Sequence, residues 1–146
     1  MKEKVILLVE DSPNDRLLTI RAFKRHNIAN DIVEASDGQE ALDYMFGEGV
    51  HSGRDVVDQP QLVLLDLKLP KLDGLEVLQR MRAVDHTRYV PVVMLTSSSE
   101  QQDIISSYDF GANSYIRKPV DFDQFVDAAG QLGMYWLVYN EVPNAR

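Results

Sequence analysis

At 146 residues, 45% hydrophobic and 26% charged, the chain has the length and composition of one globular domain with its own core. A net charge of −8 lacks the basic footprint of a nucleic-acid binder, and the absence of cysteine removes disulfides, thiolate zinc sites and thiol nucleophiles. Met1-Lys2-Glu3-Lys4 precedes an apolar run too short for a secretory signal, and no run approaches a membrane span, so a cytoplasmic protein without direct nucleic-acid or membrane contact is expected.

Val5-Ile6-Leu7-Leu8-Val9 is a strand of branched residues that ends in Glu10 and Asp11. Ser12-Pro13-Asn14-Asp15 opens a helix, with Ser12 as cap, Pro13 at the first helical position and Asp15 where a capping-box acid sits. Leu17, Ile20 and Phe23 form its expected buried stripe, and Asn27 closes it. Asp31 to Ala35 is a mixed-polarity strand suited to a sheet edge. Asp37 then caps a helix with Glu40 three residues on, and Ala41, Leu42, Met45 and Phe46 form its apolar face. From Gly47 to Gln59 periodicity disappears, which predicts an exposed loop, the least constrained part of the chain.

Leu62-Val63-Leu64-Leu65 has the continuous apolar character of a strand buried on both faces, and it runs into Asp66 before Pro70, Asp73 and Gly74. A helix from Gly74 to Arg82 carries Leu75, Leu78 and Met81 on one side. The strand Val90 to Leu95 ends in Thr96-Ser97-Ser98-Ser99, and a helix from about Glu100 to Phe110 follows. Ser114-Tyr115-Ile116 is a brief strand closed by Lys118-Pro119. The last helix, about Asp121 to Val138, bears Phe122, Phe125, Val126, Ala129, Leu132 and Trp136 at helical spacing. Five strands alternating with five helices predict an α/β domain whose parallel sheet is covered on both faces. The expected organisation is a single domain over residues 1–146, with a core of about 4–138, an insertion at 47–59 and a tail at 139–146.

Carboxylates at the carboxyl ends of buried strands lie where open α/β sheets bind ligands. Each alone is open to three readings: metal ligand, nucleophile or helix cap. Together, Glu10, Asp11 and Asp66 repel one another unless a cation sits among them, and sulfur-free oxygen donors suit a hard divalent metal, Mg²⁺ first and Mn²⁺ next. Asp66 in that setting can attack phosphorus, with Lys118 and the metal supplying positive charge and Thr96 a hydroxyl.

These residues carry a resemblance to the receiver domains of two-component response regulators. The matching features are Glu10-Asp11, the stretch from Asp66 through Leu67, Lys68, Leu69 and Pro70 to Gly74, Thr96-Ser97 and Lys118-Pro119, and the likeness covers about Lys4 to Leu137. The separations among Asp66, Thr96 and Lys118 resemble the family's; that between Asp11 and Asp66 is longer because of the 47–59 loop. The resemblance implies a flavodoxin-like doubly wound sheet of order 2-1-3-4-5 and a phosphoprotein of phosphorelay signalling. In it Asp66 accepts a phosphoryl group from a sensor histidine kinase, and output passes to a downstream protein or phosphotransfer partner without an output domain in the chain. It further implies Mg²⁺ held by Glu10, Asp11, Asp66 and the backbone carbonyl of Lys68, phosphoryl contacts from Lys118, Thr96 and Ser97, a rotamer change at Tyr115, and a cis bond before Pro119. The long loop and the Trp136-Leu137 ending resemble the stand-alone receivers paired with bacterial phytochromes. A homodimer is expected through the helix from Glu100, the strand Ser114 to Ile116 and the last helix.

Other readings are weaker. A small Mg²⁺-dependent phosphohydrolase with an aspartyl intermediate would want an acid where Lys68 stands, and a flavin module would set three acids against the FMN phosphate. His26, His51 and His86 have no companion ligands and read as surface residues. The glycines from Gly47 to Gly53 do not make a dinucleotide fingerprint, because Ser52 stands where glycine is needed and the stretch follows a helix.

Overall fold

The strands alternate their side chains between two cores, and this fixes the sheet between two helical layers. The structure, a computed structural model, describes residues 5–28, 30–119 and 121–143. The expected domain start near Lys4, the reading of Met1 to Lys4 as free of a targeting signal and the last three residues of the tail lie outside these. The strands are β1 (Val5–Val9), β2 (Asp31–Ala35), β3 (Leu62–Leu65), β4 (Val92–Thr96) and β5 (Ser114–Arg117), and they form one parallel sheet of order β2-β1-β3-β4-β5. Leu7, Val9, Val63, Leu65, Val92 and Met94 face one core, whereas Ile6, Leu8, Leu62, Leu64, Val93 and Leu95 face the other. Both faces being covered, the three central strands are apolar but for Thr96 at the end of β4, and the half-exposed β2 lies at an edge as its mixed sequence predicts.

Helices α1 (Pro13–Arg25) and α5 (Phe122–Gly133) cover one face through Ala22, Phe23, Phe125, Ala129 and Leu132. Helices α2 (Gly38–Phe46) and α3 (Gly74–Ala83) cover the other through Ala41, Leu42, Met45, Val77, Leu78 and Met81. Full burial of each such leucine, valine, methionine or phenylalanine side chain contributes about 1.5–3 kcal/mol. The buried side of α1 is Thr19, Ala22 and Phe23; Leu17, expected in the stripe, is 48% exposed. Three leucine or isoleucine positions in one turn cannot all face the sheet, and the register that buries Phe23 turns Leu17 outward. Helix α4 (Gln101–Asp109) lies against β5 and buries only Ser107 completely.

The 47–59 loop is more constrained than its composition suggests. It contains a 3₁₀ turn at Gly49–His51. Arg54 stacks its guanidinium 3.9 Å above the Tyr44 ring and donates to the carbonyls of Tyr44 and Asp58, while the Gln59 amide donates to Met45 O and Val56 O. His51 meets Tyr44 edge-on, and His26 pairs through Nε2 with the carbonyl of Val126. Beyond Gly133 the chain continues as a π-helical segment, Met134–Tyr139, where one regular helix to Val138 was expected. Gln61 ties this segment to the start of β3 by donating to Leu137 O at 2.9 Å.

Candidate functional site

Strand register brings the sequence-predicted side chains together. Val9 pairs with Leu65, so Glu10 and Asp66 leave neighbouring strands at the same level, and Thr96 pairs with Arg117, which sets Lys118 one residue beyond. The backbone continues the ladder here: Asp66 N donates to Val9 O at 3.1 Å and Lys118 N to Thr96 O at 2.7 Å. Gly74 holds the segment after Asp66 from behind. Its N–H donates to Leu67 O at 2.7 Å, and a Cβ there would lie 2.2 Å from Asp66 O, so only glycine allows α3 to begin so close to the acidic strand end.

Carboxylate oxygens of Glu10, Asp11 and Asp66 lie within 4.8 Å of one another. Glu10 is 3% exposed and Asp66 9%, whereas Asp11 faces solvent. One ammonium serves the group. Lys118 Nζ donates to Glu10 Oε1, to Asp15 Oδ2 at 2.9 Å and to Asp66 Oδ2 at 3.2 Å, so its three N–H groups are all engaged. Burial pushes the Glu10 carboxyl up to about 7 against the pull of Lys118 and the Ser12 N–H, and the Asp66 charge adds to the rise. Burial alone would lower Lys118, but its hydrogen bonds to Glu10 and Asp15 and the charges of Asp66 and Glu10 outweigh this and raise it. Four carboxylates around one ammonium leave a deficit of positive charge. All-oxygen donors and that deficit fit a hard divalent cation.

Thr96 is buried beside Asp66, and its Oγ1 accepts from Ser98 N at 3.4 Å. Ser97 is exposed and, with Thr96, Ser98, Lys68 and Asp66, lines an open cleft that reaches the acidic cluster at Asp66. Tyr115 points inward from β5, and its hydroxyl donates to Ser98 O at 2.8 Å, hooking the loop between β4 and α4. The Lys118–Pro119 peptide is trans, not cis as expected. Before proline the two isomers differ by only about 0.5–1 kcal/mol, so residue types alone do not choose between them.

The profile of the response regulator receiver domain matches residues 6–130. The chain belongs to this family. Among curated proteins, the receiver is 40% identical over 140 residues to the probable methanogenesis regulatory protein FilR2 of Methanothrix harundinacea, spanning 95% of this chain and 87% of that protein. Among solved structures, it is similar to the phosphorylated cyanobacterial phytochrome response regulator RcpA, with a TM-score of 0.88 and 35% identity over 97% of this chain and 99% of that one. It is also similar to the bacteriophytochrome response regulator AtBRR, with a TM-score of 0.73 and 50% identity over 97% of this chain and 100% of that one.

The receiver's site holds a residue assigned only to capping from sequence. Asp15 accepts nothing back from Ser12 in the manner of a capping box; Ser12 N donates instead to Glu10 Oε2 at 3.1 Å, and the Asp15 side chain turns to Lys118. Ser12 Oγ does cap Asp15 N at 3.3 Å. An acid in the first turn of a helix that starts beside a strand-end cluster can serve either purpose, and its spacing is the same in both. Arg16, which donates to Glu10 O and Glu34 Oε1, was likewise missed.

Proposed function

We propose that Asp66 of this receiver accepts a phosphoryl group from the phosphohistidine of a sensor histidine kinase in a Mg²⁺-dependent step, and that the modified protein signals through an altered surface. The observation that carries this reading is the single Lys118 ammonium shared by Glu10, Asp15 and Asp66 at the carboxyl edge of the sheet. An Asp66 oxygen attacks phosphorus, the bond from phosphorus to the donor breaks, and the electron pair leaves on imidazole, or on acetate when acetyl phosphate is the donor. Hydrolysis returns the resting state: water attacks phosphorus, Asp66 departs as carboxylate and the water proton ends on phosphate. The chain's own chemistry is confined to these two steps.

Mg²⁺, or Mn²⁺ in its place, held by Glu10, Asp11, Asp66 and the Lys68 carbonyl, supplies charge neutralisation at the phosphoryl oxygens. Lys118 adds a directed ammonium, and the hydroxyls of Thr96 and Ser97 stand in the same cleft to hydrogen-bond the group once attached. Thr96 shares the loop that Tyr115 hooks through Ser98. A shift of Thr96 toward phosphate therefore loosens that hook and lets Tyr115 change rotamer, which remodels the α4–β5 surface. Exposed Ile105, Tyr108 and Phe110 make the same region the homodimer face. The similarity to phytochrome response regulators supports a bacteriophytochrome as the kinase, with a downstream protein or phosphotransfer partner receiving the signal.

Incubation with acetyl phosphate and Mg²⁺ tests the proposal by intact mass. One added phosphoryl group is expected, which does not form when Mg²⁺ is chelated beforehand and is absent in Asp66→Asn. Equal labelling of Asp66→Asn contradicts it.

A further inference from the structure

Lys118 is bound at three points, and two of them are residues the cation needs. With Glu10 and Asp66 as shared partners, a dication and an ammonium of like charge compete for the same two carboxylates. The third partner stands apart. Asp15 belongs to α1 and is outside the Glu10, Asp11 and Asp66 cluster, and its side chain is 40% exposed where those of Glu10 and Lys118 are 4% and 14%. Its backbone is fixed by the Ser12 cap on its N–H and by Thr19 Oγ1, which donates to its carbonyl at 2.8 Å. The carboxylate thus reaches the ammonium from a fixed position in the first turn of α1, at 2.9 Å, rather than from a strand end.

We infer that Asp15 is a positioning residue: it holds the Lys118 ammonium so that Glu10 and Asp66 can be given up to the divalent cation without leaving Lys118 partnerless. This deepens the reading above and rests on it. Without Asp15 the ammonium has only the cation's own ligands to bind, and the cation must displace it from them. The consequence is a weaker metal site together with an intact phosphoacceptor. Because Asp15 is partly hydrated, the effect is moderate, about threefold to fivefold in dissociation constant.

The test is a Mg²⁺ titration of the full chain followed by backbone amide NMR shifts, with labelling by acetyl phosphate measured beside it. Asp15→Asn is expected to raise the Mg²⁺ dissociation constant about threefold to fivefold while labelling at saturating Mg²⁺ still occurs at Asp66. The double variant Asn14→Asp/Asp15→Asn restores the net charge one residue away without the contact, and it is expected to remain weak. Asp15→Glu, which keeps a carboxylate able to reach Lys118, is expected to recover most of the affinity. A dissociation constant unchanged in Asp15→Asn overturns the inference, as does full recovery in the double variant, which would reduce the effect to net charge. Loss of folding in Asp15→Asn is read from its amide spectrum, and Asp15→Glu against the double variant then decides. Failure of the wild-type chain to be labelled at all would instead remove the phosphoacceptor reading, a result distinct from these.

Discussion

Lys118 carries the only ammonium among the described residues that bonds Glu10, Asp15 and Asp66 together, so its truncation removes the directed charge while leaving the carboxylates in place, and saturating Mg²⁺ takes out any change in metal affinity. Lys118→Ala is expected to slow Asp66 labelling by about 10²-fold or more, the scale for removal of one directed charge stabilising the transferring group. Stopped-flow or time-resolved mass measurements at saturating Mg²⁺ check this. Gly74 is tested differently. A methyl group there would sit 2.2 Å from Asp66 O and 2.9 Å from Leu67 Cα, both backbone, so Gly74→Ala is expected to cost about 1–3 kcal/mol in denaturant unfolding. The positions of Glu10, Asp11, Asp66 and Thr96 were legible in the sequence because each lies at the end of a strand with a long apolar run, whereas Lys118 follows the short mixed strand Ser114–Arg117 and was marked by its Lys118-Pro119 pair. Asp15 was not legible, since a first-turn acid that caps and one that reaches across to a lysine leave the same trace. Leu17 misled for a related reason: helical spacing names the candidates for the buried face but not the rotation that packing selects.

Elements rather than single contacts connect the cleft to the molecular surface. The loop from Ser97 to Glu100 is held by the Tyr115 hydroxyl on Ser98 O, by Ser98 Oγ on Asp103 and by the Ser98 amide on Thr96. Removing the first bond in Tyr115→Phe is expected to cost about 1 kcal/mol locally, and amide hydrogen exchange at Ser98 to Glu100 should rise while exchange in β1 and β3 stays unchanged. At the opposite end of the sheet, Arg82 clamps the carbonyls of Gly111, Thr87, Arg88 and Val90 and the Asn113 side chain, so the α4–β5 turn is fixed where it is far from the cleft. Strands and helices were readable from periodicity and from caps such as Ser12 and Asp37, whose side chains accept from Asp15 N and Glu40 N. The order of the sheet was not, and it came from resemblance. Nor was the π-helical end of the last helix, because Met134 to Tyr139 keep the apolar composition of a regular turn. The bonds of Arg54 and Gln59 inside the 47–59 loop escaped because they bind backbone carbonyls, which any sequence provides.

For the whole molecule, the acidic site and the α4–β5–α5 face belong to one body joined through β4 and β5. The homodimer proposed through that face is therefore expected to respond to the state of Asp66. Light scattering is expected to show a larger dimer fraction with Mg²⁺ and a phosphoryl analogue than without, and substitution of Tyr108 by glutamate, exposed at 50%, should reduce it. A monomer under both conditions contradicts the dimer. Among the described residues no helix is long and apolar enough to cross a membrane. The central claim, that the crowded carboxylates and Lys118 make Asp66 the landing place for phosphate, is tested most directly by reductive trapping. The chain is labelled with acetyl phosphate and Mg²⁺ and treated with borohydride, which converts an aspartyl phosphate to homoserine, and the modified position is then found by peptide mass spectrometry. Homoserine at position 66 alone, formed only with the divalent cation, is predicted; trapping at another carboxylate, or equal yield without the cation, would contradict the account.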